Sequence, residues 1–262
     1  MSDYDFIIEL YCRVDDILRD VPKHSQARLY PREVVTLGIL FALKGSMGQR
    51  AFYRWLVRNF LPLFPRLPER TRLFRLFQTH QKWVRRFLAE PSLLGLCDSY
   101  GIELIHPRRE GRSEQQIGKK GKSNLRWIVG AKLYFILNHV GQVVDFTCLS
   151  ANLYDSAFPP WIQNLDGKMV IFADSGFHAK EGDPDNLKIC KRGTWNTRML
   201  VETVLSMLNL VCRLKKASQR VWQALYARLG FTVAAFNLLT AWKGLHPDEK
   251  GVVHLSMAEF AM

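Results

Sequence analysis

Met169-Val170-Ile171-Phe172-Ala173-Asp174-Ser175-Gly176 sets an unbroken apolar run directly before a carboxylate and a Ser-Gly turn signal. With Asp166-Gly167 in front of it, the run predicts a short strand buried on both faces. Asp174 then stands at the carboxyl end of that strand, where open α/β sheets bind their ligands. Two other carboxylates can reach the same place. Asp98 ends a second apolar run, Leu93-Leu94-Gly95-Leu96-Cys97, which 101–104 can continue. Glu202 lies in a long helical run, 28 positions after Asp174. Three acids on two strand ends and one helix form a candidate seat for a divalent cation.

The helix carrying Glu202 is expected from Arg198 to about Lys216. Met199, Leu200, Val201, Val204, Leu205, Met207, Leu208, Leu210, Val211 and Leu214 make it apolar almost all round, so it is expected to be buried. At ~100° per residue, Arg198, Glu202, Ser206, Asn209 and Arg213 share a stripe about 80° wide. A buried carboxylate without partners costs several kcal/mol. Glu202 therefore either pairs with Arg198 or faces a polar cleft with the other two acids. Three close carboxylates raise one another's pKa unless a cation neutralises them. Oxygen-only donors favour Mg²⁺ or Mn²⁺ over zinc. Two such ions about 3.5–4 Å apart can activate an attacking oxygen and stabilise a leaving one in phosphodiester cleavage.

The charge balance points to a matching substrate. The 262 residues hold 37 basic and 24 acidic side chains, a net +13, which suits a polyanion: nucleic acid or an anionic membrane surface. No apolar run approaches the ~20 residues of a membrane span, and the acidic start is wrong for a signal peptide. A soluble intracellular protein with nucleic acid as partner, and no membrane, is expected. Cys12, Cys97, Cys148, Cys190 and Cys212 form no CxxC pair. They read as buried reduced thiols of a cytosolic protein, which argues against a disulfide framework or a zinc site.

The first third reads as helical. Helices are expected over 5–18, with Ile7, Tyr11, Val14 and Leu18 on one face, and from Pro31 to a stop at Gly45. Another follows a Ser46 cap through Phe52, Tyr53, Leu56 and Phe60, and a fourth spans 71–89. Pro62, Pro65 and Pro68 separate the last two. Between Arg50 and Arg86 ten basic residues stand against one acidic residue, Glu69. On the last helix Arg72, Arg75, Lys82 and Arg86 share a face, a candidate DNA-contact surface, although charge runs are also ordinary solvated faces. The breaks are compatible with a helix-turn-helix, but no recognition helix stands out.

Strands follow Pro91. The segment 106–126 carries seven basic and two acidic residues without periodicity. It reads as a mobile loop that offers Lys119, Lys120 and Lys122 to phosphates. Its Gly118-Lys119-Lys120-Gly121-Lys122-Ser123 lacks the GxxxxGK[ST] spacing of a P-loop, which excludes an ATPase. Residues 127–137 and 142–149 predict a hairpin. A short helical or loop segment around Trp161, a β-like Leu187-Lys188-Ile189-Cys190, and a last helix over 221–239 complete the chain. His178, close behind Asp174, is expected as a loop residue, since two-metal chemistry asks for no imidazole.

Taken in order, Cys97-Asp98-Ser99, Ala173-Asp174-Ser175-Gly176 and Arg198-Met199-Leu200-Val201-Glu202 resemble the motifs of DDE transposases of bacterial insertion sequences. Leu149-Ser150-Ala151-Asn152-Leu153-Tyr154-Asp155 is similar to the segment before that family's second Asp strand. The helices with Phe52-Tyr53 and Phe64-Pro65-Arg66-Leu67-Pro68 are similar to its DNA-binding portion. The resemblance implies an α/β fold: a ribonuclease H-like mixed β-sheet flanked by helices, preceded by an all-helical N-terminal DNA-binding region. Residues 1–90 would be that region, 91–244 the catalytic domain and 245–262 a loosely ordered tail. It implies Asp98, Asp174 and Glu202 as catalytic residues and as ligands of two Mg²⁺ or Mn²⁺ ions. It also implies hydrolysis at element ends and attack of the freed 3′-OH on target DNA. The implied partner is double-stranded DNA, both element ends and target, met as a homodimer in a bacterial cytoplasm at the nucleoid.

Many relatives carry a Tyr, Arg, Glu, Lys signature around the third acid. Arg198 and Glu202 match it, Trp195 replaces the Tyr, and Asn209 replaces the Lys. Arg213, one turn later on the stripe, is the expected substitute phosphate contact. Lys191, Arg192, Trp195, Arg198 and Arg213 thus join Arg75, Lys82, Arg86, Lys119, Lys120 and Lys122 as expected DNA contacts. Two alternatives stand beside the transposase: a metal-dependent nuclease that cuts without strand transfer, and a DNA-binding protein whose site is disabled, as Trp195 and Asn209 suggest.

Overall fold

The computed structural model describes residues 2–123, 126–190, 197–214, 217 and 219–243. Helix α1 (Asp3–Leu18) starts on a capping box: the Ser2 hydroxyl accepts from Asp5 N, and the Asp5 carboxylate accepts from Ser2 N. Helix α2 (Pro31–Leu43) opens on its proline and is buried almost all round. Helix α3 (Gln49–Asn59) is capped by Gly48, not by Ser46 as expected. Ser46 is used up in a turn closed by Met47 N donating to Lys44 O at 2.7 Å. Helix α4 (Arg70–His80) is also shorter than expected, because the chain tightens into a 3₁₀ helix over Gln81–Phe87. That winding puts Val84 and Phe87 into the core. With the residues per turn changed, Arg72, Arg75, Lys82 and Arg86 lie on no single α-helical face.

Strand β1 (Leu94–Ile105) runs straight through Asp98 instead of ending there. The reason is the pairing of β1 with β3 along nearly its whole length, from Gly95↔Asn138 to Ile105↔Val129. The expected mobile loop contains an edge strand, β2 (Lys119–Ser123), paired with the start of β3 (Arg126–Asn138). Two glycines allow it. Gly118 adopts φ +76°, and a Cβ at Gly121 would stand 1.7 Å from Ala151 O. The hairpin partner β4 (Val143–Ser150) takes the rest of that edge of β3. The short helix α5 (Pro159–Ile162) leads to β5 (Val170–Ala173), which alternates half-buried and buried residues and so is fully covered on one face only. Strand β6 (Leu187–Ile189), α6 (Thr197–Cys212) and α7 (Trp222–Lys243) follow. The sheet order is β2-β3-β1-β5-β6, with β4 also on β3. Strands β1, β3 and β4 are antiparallel; β5 and β6 extend β1 in parallel.

Each face of the sheet has its own core. Cys97, Tyr134, Ile136, Ile171 and Phe177 pack with Phe158 and Ile162 around α5. Leu133, Phe135 and Leu137 face the helices, and there α1 to α4 share one core with α6 and α7. Composition changes near residue 90, but this core runs across it. Helix α7 is the common post. Asn237 accepts from Val143 N at 2.9 Å and donates to Val143 O at 2.7 Å and Phe87 O at 2.9 Å. Arg228 donates to Phe41 O at 3.2 Å and Cys212 O at 2.5 Å, a cation set against the last turns of α2 and α6. Contrary to the sequence expectation, this helix is long and apolar enough to cross a membrane, because one arginine hardly lowers its mean hydropathy. However, 83% of that window is buried inside the protein, as befits a core helix. Cys97, Cys148 and Cys212 are buried free thiols, whereas Cys12, expected inside, is exposed on α1.

Candidate active site

Strand β5 pairs with β1 only from Leu94↔Val170 to Leu96↔Phe172. Two residues further along each strand stand Asp98 and Asp174. There the strands part: β3 carries β1 onward, while β5 gives way to a 3₁₀ turn over Ser175–Phe177. Asp174 caps this turn, its Oδ1 accepting from Gly176 N at 2.9 Å, and is exposed. Asp98 is half-buried, and its Oδ1 accepts from Ser99 N at 2.7 Å.

By strand alternation Leu96, Asp98 and Tyr100 share the sheet face that the helices cover. Helix α6 lies on that face, with Asn209 Nδ2 donating to the Tyr100 hydroxyl at 3.3 Å. Glu202 is seven residues before Asn209, hence on the same side of the helix, two turns away. It is exposed rather than buried, since α6 buries Val201, Val204, Met207, Leu208 and Cys212 and leaves Glu202 and Ser206 to solvent. The burial argument for a Glu202 partner therefore does not apply. Among the described residues no three Asp, Glu, His or Cys side chains assemble into a group able to hold a metal ion. Asp98 and Asp174 each follow the last β1–β5 pair by two residues; Glu202 is not closed onto them. Three like charges resist such closure unless a cation is bound.

A different carboxylate borders the Asp174 turn. Asp155 Oδ1 accepts from Lys132 Nζ at 3.0 Å and from the Tyr134 hydroxyl at 2.7 Å. Lys132 also donates to Leu153 O at 3.2 Å. A Cβ at Gly176 would lie 3.0 Å from Asp174 Oδ1 and 3.4 Å from Asp155 Oδ2, so the two carboxylates border one glycine. Burial pushes the Cys97 thiol far above its usual pKa, and the charges of Asp98, Asp155 and Asp174 add to the rise. Burial and then the Asp155 charge likewise raise the Tyr134 hydroxyl. Lys132 carried a sequence signal that the motif reading passed over. It stands in the apolar run 128–137, and a lysine in a buried strand needs a partner.

The expected DNA contacts scatter. Lys119, Lys120 and Lys122 are exposed on β2, with Lys120 Nζ 5.6 Å from the Trp127 ring centroid. Arg86 is tied to Asp20 by two hydrogen bonds of 2.5 and 2.7 Å. Arg75 stands 4.0 Å from Glu69, and Lys82 sits over the Trp83 ring at 5.0 Å. Arg213 falls beyond the end of α6 with φ +48°, because the helix stops four residues earlier than expected. It is off the helical stripe and does not stand one turn after Asn209. Arg198 is in the first turn of α6; Lys191, Arg192, Trp195 and the tail 245–262 lie outside the described residues. His178 is a loop residue, as expected, with Nδ1 2.7 Å from Asp183 Oδ2. The motif reading also missed Arg50, Arg54 and Arg58, which recur every fourth residue along α3. All three are exposed, and none makes an ion pair among the described residues. Their spacing was readable in the sequence.

An antiparallel three-strand meander extended by two parallel strands, with carboxylates on the first strand and at the end of the next, is the ribonuclease H-like layout of phosphodiester-processing domains. The chain belongs to the transposase DDE domain family, whose model matches residues 89–221, half of its length. No curated protein and no solved structure matches it. Membership implies a role in DNA transposition inside the cell, and such proteins bind DNA and generally use divalent metal ions.

Proposed function

We propose that the protein is a DNA transposase that cleaves the ends of its element and joins the freed 3′-OH to target DNA. Asp98, Asp174 and Glu202 are its catalytic residues. The observation that supports this reading is the β1–β5 register, whose last pair, Leu96↔Phe172, lies two residues before Asp98 and Asp174 where the two strands part. An oxygen-only donor set suits Mg²⁺ or Mn²⁺, and the three acids would hold two such ions. Bound there, the ions would activate the attacking oxygen and stabilise the leaving one. The chain itself orients the acids. Backbone N–H groups of Ser99 and Gly176 each hold one oxygen of Asp98 and Asp174.

Residues 1–90 serve as the DNA-binding region and 91–244 as the catalytic domain, with a homodimer synapsing two ends at the nucleoid. Arg50, Arg54 and Arg58, about 6 Å apart along α3, and the β2 lysines neutralise phosphates. The disabled-site reading keeps one support: the Asn209 amide is engaged with Tyr100 and replaces a phosphate-contacting lysine.

The test is an end-cleavage and strand-transfer assay on DNA carrying the sequences that flank the gene, with Mg²⁺ or Mn²⁺. Wild type should cut and join; Asp174→Ala and Glu202→Ala should bind the DNA and do neither. Cutting without joining would favour the nuclease. Binding without cutting by wild type, on true element ends, would favour the disabled protein.

A further inference from the structure

Lys132, Asp155 and Tyr134 have no part in the proposed chemistry, yet they form a polar group behind the site. Lys132 and Tyr134 point to the sheet face opposite Asp98, alternating with Leu133 and Phe135 on β3. Tyr134 is the cross-strand neighbour of Ser99, next to Asp98, and Lys132 that of Gly101. The Lys132 and Tyr134 side chains are buried, and both donate to the same Asp155 oxygen. With its charge balanced by a buried lysine, Asp155 is suited to hold structure in place.

The same group touches the Asp174 turn twice. The Tyr134 ring meets Phe177 edge-on, centroids 6.1 Å apart, and Phe177 closes that 3₁₀ turn as its one buried residue. The other Asp155 oxygen stands beside Gly176, whose N–H fixes the Asp174 carboxylate. A charge-balanced network, buried at Lys132 and Tyr134 and half-buried at Asp155, thus backs both the turn and the strand that carry the two acids.

We infer that Lys132, Asp155 and Tyr134 form a strut that positions the Asp174 carboxylate for divalent-metal binding. This rests on the transposase reading of Asp98 and Asp174. The three are positioning residues; partners behind a metal ligand commonly matter about 10–100-fold in metal affinity or activity.

Asp155→Asn tests it, since it keeps an acceptor for Tyr134 and removes the charge. Tyr134→Phe keeps the lysine–carboxylate pair and decides the matter if Asp155→Asn unfolds. Gly176→Ala crowds Asp174 Oδ1 at 3.0 Å and meets the Asp155 carboxylate only at van der Waals distance, 3.4 Å. Each is compared with wild type in Mn²⁺ binding, followed by the electron paramagnetic resonance of free Mn²⁺, in the Mn²⁺ dependence of end cleavage, in end-DNA binding and in melting temperature. Asp155→Asn should bind DNA like wild type, need about 10–100-fold more Mn²⁺, and recover rate in excess Mn²⁺. Tyr134→Phe and Gly176→Ala should shift the same way. Wild-type Mn²⁺ binding and dependence in a folded Asp155→Asn and in Tyr134→Phe would overturn the strut alone. So would a lower rate with unchanged Mn²⁺ dependence. Absence of Mn²⁺ binding by wild type would overturn the metal-site reading and the strut with it.

Discussion

Asp155 and Asp174 border the same glycine, yet their surroundings are opposite. Asp155 spends one oxygen on a buried lysine and a buried tyrosyl hydroxyl. Asp174 is exposed and accepts one backbone N–H among the described residues. A carboxylate that is charge-balanced and half-buried holds shape; one left with spare acceptor sites at a strand opening is available to a ligand. The basic residues divide the same way. Arg86 is tied to Asp20, whereas Arg50, Arg54 and Arg58 on α3 stand exposed and without ion pairs among the described residues.

The contrast breaks most directly at the open acid. Asp174→Asn should reduce single-turnover end cleavage by more than ~10³-fold, a loss on the scale of removing an essential electrostatic contact, and Asp98→Asn should do the same. Asp174→Asn should not lower the melting temperature, because it relieves like-charge repulsion. A large loss of stability in Asp174→Asn would put that acid with the closed group instead.

The closed group should behave in reverse. Lys132→Met strands the Asp155 carboxylate and should cost stability towards the lower end of about 3–5 kcal/mol, since Asp155 is partly exposed. The double variant Lys132→Met with Asp155→Leu should recover much of that in urea unfolding. Equal stability of wild type and Lys132→Met would show that the pair holds nothing.

Among the arginines, replacing Arg50, Arg54 and Arg58 together by Ala should flatten the salt dependence of DNA binding by about 2–3 in log–log slope. Arg86→Ala should leave that slope unchanged. Equal effects from the two would erase the distinction between free and paired cations. The smallest effect is chemical. A thiol reagent at neutral pH should label Cys12 and spare Cys97, Cys148 and Cys212, because burial pushes the last two up to about 12 and Cys97 up as well. Mass spectrometry of the labelled protein checks this, and rapid labelling of Cys97 would contradict its enclosure behind the acids.

Much of this was legible from local pattern. The strand before Asp174, the β3–β4 hairpin and the helices α1 and α2 follow from apolar periodicity and from caps and turns that lie close in sequence. What depended on partners distant in sequence was not. Asp98 looks like a strand end, because the apolar run stops there; pairing with β3 carries the strand through it. The Lys119–Ser123 segment looks like a loop, because glycines and lysines dominate it. Its strand is made by the free edge of β3 and by a close approach to Ala151 that only Gly121 allows. Helix α6 looks buried all round, yet Glu202 and Ser206 on its polar stripe are exposed, since one face suffices for the core. Asp155 drew notice only through a family resemblance. Its role depends on Lys132 and Tyr134, more than twenty positions away, and no local pattern marks such a meeting.

The most direct measurement maps the metal site on the protein itself. Fe²⁺ substituted for Mg²⁺, with ascorbate and peroxide, generates radicals that cut the backbone beside the bound ion. In the presence of element-end DNA, cuts should fall next to Asp98, Asp174 and Glu202, weaken as Mg²⁺ is added, and vanish in Asp174→Asn. Mg²⁺-sensitive cuts that leave the segments around Asp98 and Asp174 intact would contradict the assignment of these carboxylates to the catalytic centre.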